Sequence, residues 1–144
     1  MSTLTFRNVN VSPADPVSAW PLEAIQTALE RGGLAEWRRL AAAIQTDPWG
    51  PVARRVEEVL TYGRPYGVAA AFERAIGQSR EAAESAERKA VAVEVRELVA
   101  RSGLSQAEFA SRVGTSASRL STYASSKVTP SAALLVRMRR ATNP

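Results

Sequence analysis

The side chains in this sequence that could do chemistry are hydroxyls, guanidiniums and carboxylates, because its 144 residues include neither Cys nor His. That removes thiol nucleophiles, disulfides, imidazole acid–base catalysis and the usual zinc ligand sets together. The carboxylates stand in alternating-charge runs, Arg54 to Glu58 and Glu81 to Lys89, which have the pattern of solvated helix faces rather than of a paired acid and base. No enzyme activity is expected from this inventory, and no metal or cofactor. What remains is concentrated in one stretch. Ser116, Ser118, Arg119, Ser121, Thr122, Ser125 and Lys127 follow one another closely with no acid among them. Hydroxyls and cations at such a surface can hydrogen-bond to anionic oxygens, which a carboxylate would repel.

Charge along the chain points the same way. Residues 1–79 carry eight basic and eight acidic side chains, whereas residues 98–144 carry Arg101, Arg112, Arg119, Lys127, Arg137, Arg139 and Arg140 against the single acid Glu108. A neutral front joined to a basic end is the footprint of a chain that meets a polyanion with one end only. The alternative is a basic solvated surface that touches nothing. Arg137, Arg139 and Arg140, at the end of the last helix, are read as solubilising charges.

The elements that must position the hydroxyl-rich stretch can be read from its flanks. Ser105 and Glu108 have the spacing of a capping box, so a helix starts there. Phe109, Ala110 and Val113 give that helix one apolar face, and Gly114 ends it. Thr115 or Ser116 then caps a second helix, whose buried face is Leu120, Tyr123 and Ala124. Ala117, Ser118, Arg119, Ser121 and Thr122 are left on its outer side. Lys127 falls in a loop, and Thr129-Pro130 starts a last helix with Pro at its first position, packed back through Leu134, Leu135 and Met138. Two short helices joined by so tight a turn have helix-turn-helix geometry.

Leu104, Ser105, Gln106, Phe109, Ala110, Gly114, Ser116, Leu120, Ser121, Tyr123, Lys127, Pro130 and Ser131 together resemble the Xre family of helix-turn-helix regulators, with the Cro-like phage repressor fold. The resemblance covers residues 88–141. Two positions depart from the family pattern: Ala124 stands where Glu is common, and Ser126 where Gly usually follows. The resemblance implies a lambda-repressor-like domain of four to five helices that binds double-stranded DNA. It implies phosphate contacts from Gln106, Ser116, Ser121, Ser125 and Lys127, which position without specifying. Ala117, Ser118, Arg119 and Thr122 should face base edges. A guanidinium can take guanine O6 and N7 together, so Arg119 is the strongest candidate reader, with a phosphate clamp as its alternative role; Ala117 could touch only a thymine methyl.

The rest of the chain is also read as helical, making the fold class all-α with one short strand at most. Leu4 and Phe6 alternate and then shift phase to Val9 and Val11, which predicts a bent strand over Thr3 to Val11 that either pairs with a second subunit or stays a loose tail. Residues 1–19 form this tail and a Pro-rich connector. Residues 20–78 form a small helical domain with apolar stripes at Leu22, Ile25 and Leu29, at Leu34, Trp37, Leu40 and Ile44, at Val52, Val56, Val59 and Leu60, and at Val68, Phe72 and Ile76. Trp20, Trp37 and Trp49 are candidates for its core, although an exposed Trp49 in its Pro-Gly turn would be a contact residue. Residues 79–90 read as a polar helical linker, continuous with a helix carrying Val91, Val95, Leu98 and Val99, and residues 91–144 as the helix-turn-helix domain.

A motif that reads only a few base pairs is expected to work as a homodimer on a pseudo-palindromic operator, as a transcriptional repressor. The alternative is an antitoxin, whose N-terminal domain binds a toxin protein while the basic end represses its operon. No apolar run has the length of a membrane span and the start has no secretory pattern, so the cytoplasm is the expected location.

Overall fold

The computed structural model describes residues 4–143, which form one 3₁₀ turn and seven α-helices with no strand among them. The chain divides into two compact units, one ending at Ala83 and one beginning at Glu84. Residues 79–90 lie inside a single helix that contributes to both.

The N-terminal unit is built from the 3₁₀ turn Val17–Ala19, α1 (Leu22–Arg31), α2 (Leu34–Thr46), α3 (Pro51–Tyr62) and the first part of α4 (Val68–Ser102). Each helix buries the stripe its spacing sets out: Ala24, Ile25, Ala28 and Leu29 on α1, Leu40 and Ile44 on α2, Val52, Val56, Val59 and Leu60 on α3, Phe72 and Ile76 on α4. Local chemistry sets the boundaries. The Gly33 amide donates to the Glu36 carboxylate at 2.9 Å at the start of α2. Pro51, whose missing N–H would have had no partner within the helix, occupies the first position of α3.

Trp20 is the largest fully buried side chain of this core. Its indole N–H donates to the Asp15 carbonyl at 3.2 Å, Phe6 meets its ring edge-on at 5.1 Å, and the Arg39 guanidinium lies over the ring, 5.1 Å from its centroid. Arg39 also donates to the Pro13 and Asp15 carbonyls, tying the segment before α1 to α2. These contacts replace the expected strand. Residues 4–11 are neither strand nor loose tail; Leu4, Phe6, Val9 and Val11 all pack on the N-terminal core. Asn8 has φ +60°, a left-handed residue that resets the alternation between Phe6 and Val9, so both halves face inward. Thr3, the first residue of the expected strand, lies outside the described residues.

The other tryptophans differ from Trp20. Trp37 is half-buried against the core and donates to the Ala28 carbonyl at 2.8 Å. Trp49 is exposed and is not part of the core; Arg80 lies near its ring, anchored by the Pro48 carbonyl at 2.9 Å and by Glu57 at 2.6 Å. Along α2 and the first turns of α4 the unit leaves an open groove, floored by Trp37, Ala41, Ala71 and Phe72 and flanked by exposed Leu34 and Tyr66.

The C-terminal unit packs the last part of α4 against α5 (Gln106–Val113), α6 (Ala117–Ala124) and α7 (Ala132–Thr142). Its own core is Val95, Leu98, Phe109, Ala110, Val113, Leu120, Leu134 and Met138. The last helix begins two residues later than its proline suggested. Ser131 is the N-cap of α7, accepting from the Leu134 amide at 3.1 Å, and Pro130 is buried ahead of it. A capping hydroxyl satisfies an amide that Pro at the first position could only leave out of the count. Among the described residues no helix is long and apolar enough to cross a membrane.

Candidate nucleic-acid interface

The hydroxyl-rich stretch is held by two helix ends that are built alike. α5 starts because the Ser105 hydroxyl accepts from the Glu108 amide at 3.2 Å. The returning half of the expected capping box is not made, since the Glu108 side chain stands in solvent. α5 ends on Gly114, at φ +82° and ψ +35°, with the Thr115 amide donating back to the Ala110 carbonyl at 2.9 Å and the Gly114 amide to the Ser111 carbonyl at 3.3 Å. This paired closure is a Schellman turn, and it places a left-handed residue where glycine carries no Cβ penalty. Two residues later the Ser116 hydroxyl accepts from the Arg119 amide at 3.1 Å, and α6 begins. Ala110 is buried between the two helices and small enough for them to cross closely.

At the far end of α6 the same closure recurs without glycine. The Lys127 amide donates to the Thr122 carbonyl at 3.1 Å and the Ser126 amide to the Tyr123 carbonyl at 3.4 Å, with Ser126 itself at φ +63°. The departure from glycine at this position leaves the turn geometry intact and places its cost in the Ser126 backbone.

Only Leu120 of α6 is fully buried, with Tyr123 and Ala124 packed partly against the core. Ala117, Ser118, Arg119 and Ser121 are exposed together. The Arg119 guanidinium makes no hydrogen bond or ion pair among the described residues, nor does the Lys127 ammonium, which is exposed just past the helix. Gln106 is exposed at the first residue of α5. The remaining sequence-predicted residues have partners within the fold. The Thr122 hydroxyl donates to the Arg119 carbonyl at 2.6 Å and is half-buried, and the Ser125 hydroxyl donates to the Thr122 carbonyl at 3.3 Å. Ser116 is the cap of α6 and lies 3.3 Å from the Ser118 hydroxyl.

Three arginines of this unit hold the site rather than offer themselves to it. Arg96 on α4 donates to the Ala124 carbonyl at 2.5 Å, satisfying the last turn of α6. Arg139 is not merely solubilising, since it grips Glu94 through two bonds, at 2.6 and 3.2 Å, and ties α7 to α4. Arg139 donating to it holds the Glu94 carboxyl below the usual carboxylate range, and Glu94 in turn raises Arg139. Arg137 reaches over Gly114, its guanidinium only 3.0 Å from where a Cβ would stand. Sequence reading missed these pairings because each joins residues far apart in the chain. The positive φ at Ser126 did have a signal, the serine in a position where glycine is usual.

Among the described residues no cluster of three or more acidic side chains could hold a metal ion. What the arrangement can do is present exposed cationic and hydroxyl groups on, and just past, a helix that carries no carboxylate. Residues 90–143 match the model of a family described as a helix-turn-helix domain. Comparison with curated protein sequences and with solved structures gave no match. The C-terminal unit thus carries a helix-turn-helix domain, in which α5 and α6 are the helices joined by the Gly114 turn.

Proposed function

We propose that the chain is a sequence-specific, DNA-binding transcriptional regulator of the Xre type, a cytoplasmic repressor that holds a pseudo-palindromic operator as a homodimer and performs no catalysis. One observation carries this reading: α6 exposes Ala117, Ser118, Arg119 and Ser121 on one surface with an unpaired guanidinium and no acid. A helix of this kind fits the major groove, where Arg119 can take both acceptors of a guanine and Ala117 can lie against a thymine methyl. Gln106 and Lys127, exposed at either side of the two-helix motif, would take phosphates and fix its register. Ser116, Thr122 and Ser125 act mainly by keeping α6 and its exit turn in shape.

The test is selection of bound genomic fragments followed by titration of the recovered site at two salt concentrations. Arg119→Ala should cost about 1 to 3 kcal/mol and relax the preference at one base pair. Lys127→Ala should weaken all sequences alike and reduce the slope of log affinity against log salt by about one. Failure to enrich any site, with both variants equally weak on any DNA, would exclude a sequence-specific regulator.

A second reading, an antitoxin that neutralises a toxin protein through its N-terminal unit, draws on the exposed groove between α2 and α4. It predicts copurification of a small unrelated protein that occupies that groove.

A further inference from the structure

The N-terminal unit leaves an apolar surface uncovered along α2 and the first turns of α4. Two hollows of about 510 and 590 Å³ adjoin there and share Ala41 and Ala75 in their walls. One end is apolar and protrudes, with Leu34 58% and Tyr66 fully exposed. The other end is lined by Gln45, Gln78 and Ser79. Arg38, at the apolar end, is the only charged residue lining either hollow, and it has no ion-pair partner among the described residues. Contiguous apolar surface of this kind in a water-soluble unit is normally covered by a partner.

We propose that a second copy of this chain covers the groove, the two N-terminal units being related by a two-fold axis passing near Ala41 and Ala75. A two-fold axis there turns the groove end for end. Leu34 and Tyr66 of each copy then enter the far hollow of the other, walled by Ala41, Ala75, Ala82 and Ala83, so one surface supplies both the projections and the space that receives them. Each Arg38 meets the amide and hydroxyl end of its neighbour, where the oxygens of Gln45, Gln78 and Ser79 can accept from the guanidinium. No carboxylate has to be desolvated on either wall. The charge balance also favours contact through this unit. Its nine basic and nine acidic residues up to Ala83 leave it neutral, whereas the residues from Glu84 onward carry +5 and repel a second copy. A foreign helix would have to bring its own acceptor for Arg38, which this chain already carries. The inference rests on the homodimer reading above and assigns it a surface.

Sedimentation equilibrium of the full chain across the micromolar range provides the first test. The wild-type chain should be dimeric, and Ala75→Glu, at the axis, should weaken the dimer by at least about a hundredfold, because two facing carboxylates would be buried without partners. Helicity and tryptophan-monitored melting of the variant, measured alongside, show that it is folded. Disulfide trapping tests the geometry independently, since the chain has no cysteine of its own. Ala75→Cys should link to itself, Leu34→Cys should not, and a mixture of Leu34→Cys with Ser79→Cys should link across. A monomeric wild-type chain, a dimer indifferent to Ala75→Glu, or self-linking of Leu34→Cys as efficient as that of Ala75→Cys would each overturn the proposal; so would a foreign protein seated on the groove of a monomeric chain. Titration on a single half-site separates this from the functional reading. Ala75→Glu should keep half-site affinity while losing affinity for the full operator. Trapping that succeeds in a chain that binds no DNA would sink the regulator and leave the dimer standing.

Discussion

All three tryptophans lie in the unit ending at Ala83 and none in the unit beginning at Glu84, while the net positive charge is divided the opposite way. The N-terminal unit builds its core around a buried indole, Trp20, and leaves an apolar groove open beside α2. The C-terminal unit closes its core with aliphatic side chains and Phe109, and exposes hydroxyls and cations on α6. The difference shows two ways for a small helical unit to be incomplete. Uncovered apolar surface calls for another protein surface, because its cost in water is relieved by any well-fitting apolar contact. Unpaired cations beside hydroxyls call for a polyanion, because they are already well solvated and gain only where the partner's charge and acceptors match theirs.

The sharpest break in this comparison should come from Phe109→Ala. Removing a fully buried ring costs about 3 to 5 kcal/mol, and because the two cores are separate clusters the loss should fall on one of them. Far-UV circular dichroism should show part of the helical signal melting early, while tryptophan fluorescence, which reports on the N-terminal unit alone, keeps its transition. A fluorescence midpoint that falls in step would show that the two cores unfold as one.

A smaller pair of changes sharpens the contrast within the C-terminal unit, between two turns of the same design. Gly114→Ala puts a Cβ at φ +82° and within 3.0 Å of the Arg137 guanidinium, so it should destabilise by about 1 to 2 kcal/mol. Ser126→Gly removes a Cβ from the same kind of turn and should stabilise by about 0.5 to 1 kcal/mol, the relief of left-handed strain being partly offset by a more flexible unfolded chain. Denaturant midpoints with unchanged slopes would measure both. Equal and same-signed shifts would mean that the turn is not what distinguishes the two positions.

The smallest effect concerns Glu94. Its carboxyl ionises more readily in the folded chain than in the unfolded one because Arg139 donates to it, so the pair's contribution is present above the unfolded-state pKa and is lost as pH falls through the lower folded-state value. Glu94→Gln should therefore lower the melting temperature of the C-terminal unit slightly at neutral pH and leave it unchanged in strong acid. Since the pair is partly exposed, added salt should shrink the difference. A deficit that persisted in acid would assign it to packing and not to charge.

The turn between α5 and α6 was legible in the sequence because everything that builds it is local: a serine cap, an apolar face at helical spacing, and a glycine at the closing position. The all-helical class followed in the same way from the stripes of α1 to α4. The N-terminal segment was not legible, because its alternation matches a strand, whereas a left-handed Asn8 and contacts with Trp20 and Arg39 that local spacing does not show turn Leu4, Phe6, Val9 and Val11 onto a helical core. Pro130 was misplaced because proline preference competes with the stronger capping of Ser131. Among the candidate site residues, side-chain type gave the unpaired cations, Arg119 and Lys127, but could not show that the hydroxyls of Thr122 and Ser125 turn back onto the carbonyls of Arg119 and Thr122.

From Glu84 to Ala90, α4 has no buried side chain, although it is helical throughout. This stretch is held by its own backbone bonds and by alanine and glutamate propensity, with no core behind it; free helices of this length are marginal in water. Its amide hydrogens should therefore exchange with solvent deuterium through local opening, long before those of Phe72 and Ile76 or of Val95 and Leu98. Arg88 and Lys89 stand within it, both exposed, and local opening would offer them to a trypsin-like protease. A single cut there would divide the chain into an indole-bearing, near-neutral fragment and a basic one, which makes a continuous stretch of helix also the kinetic weak point of the chain.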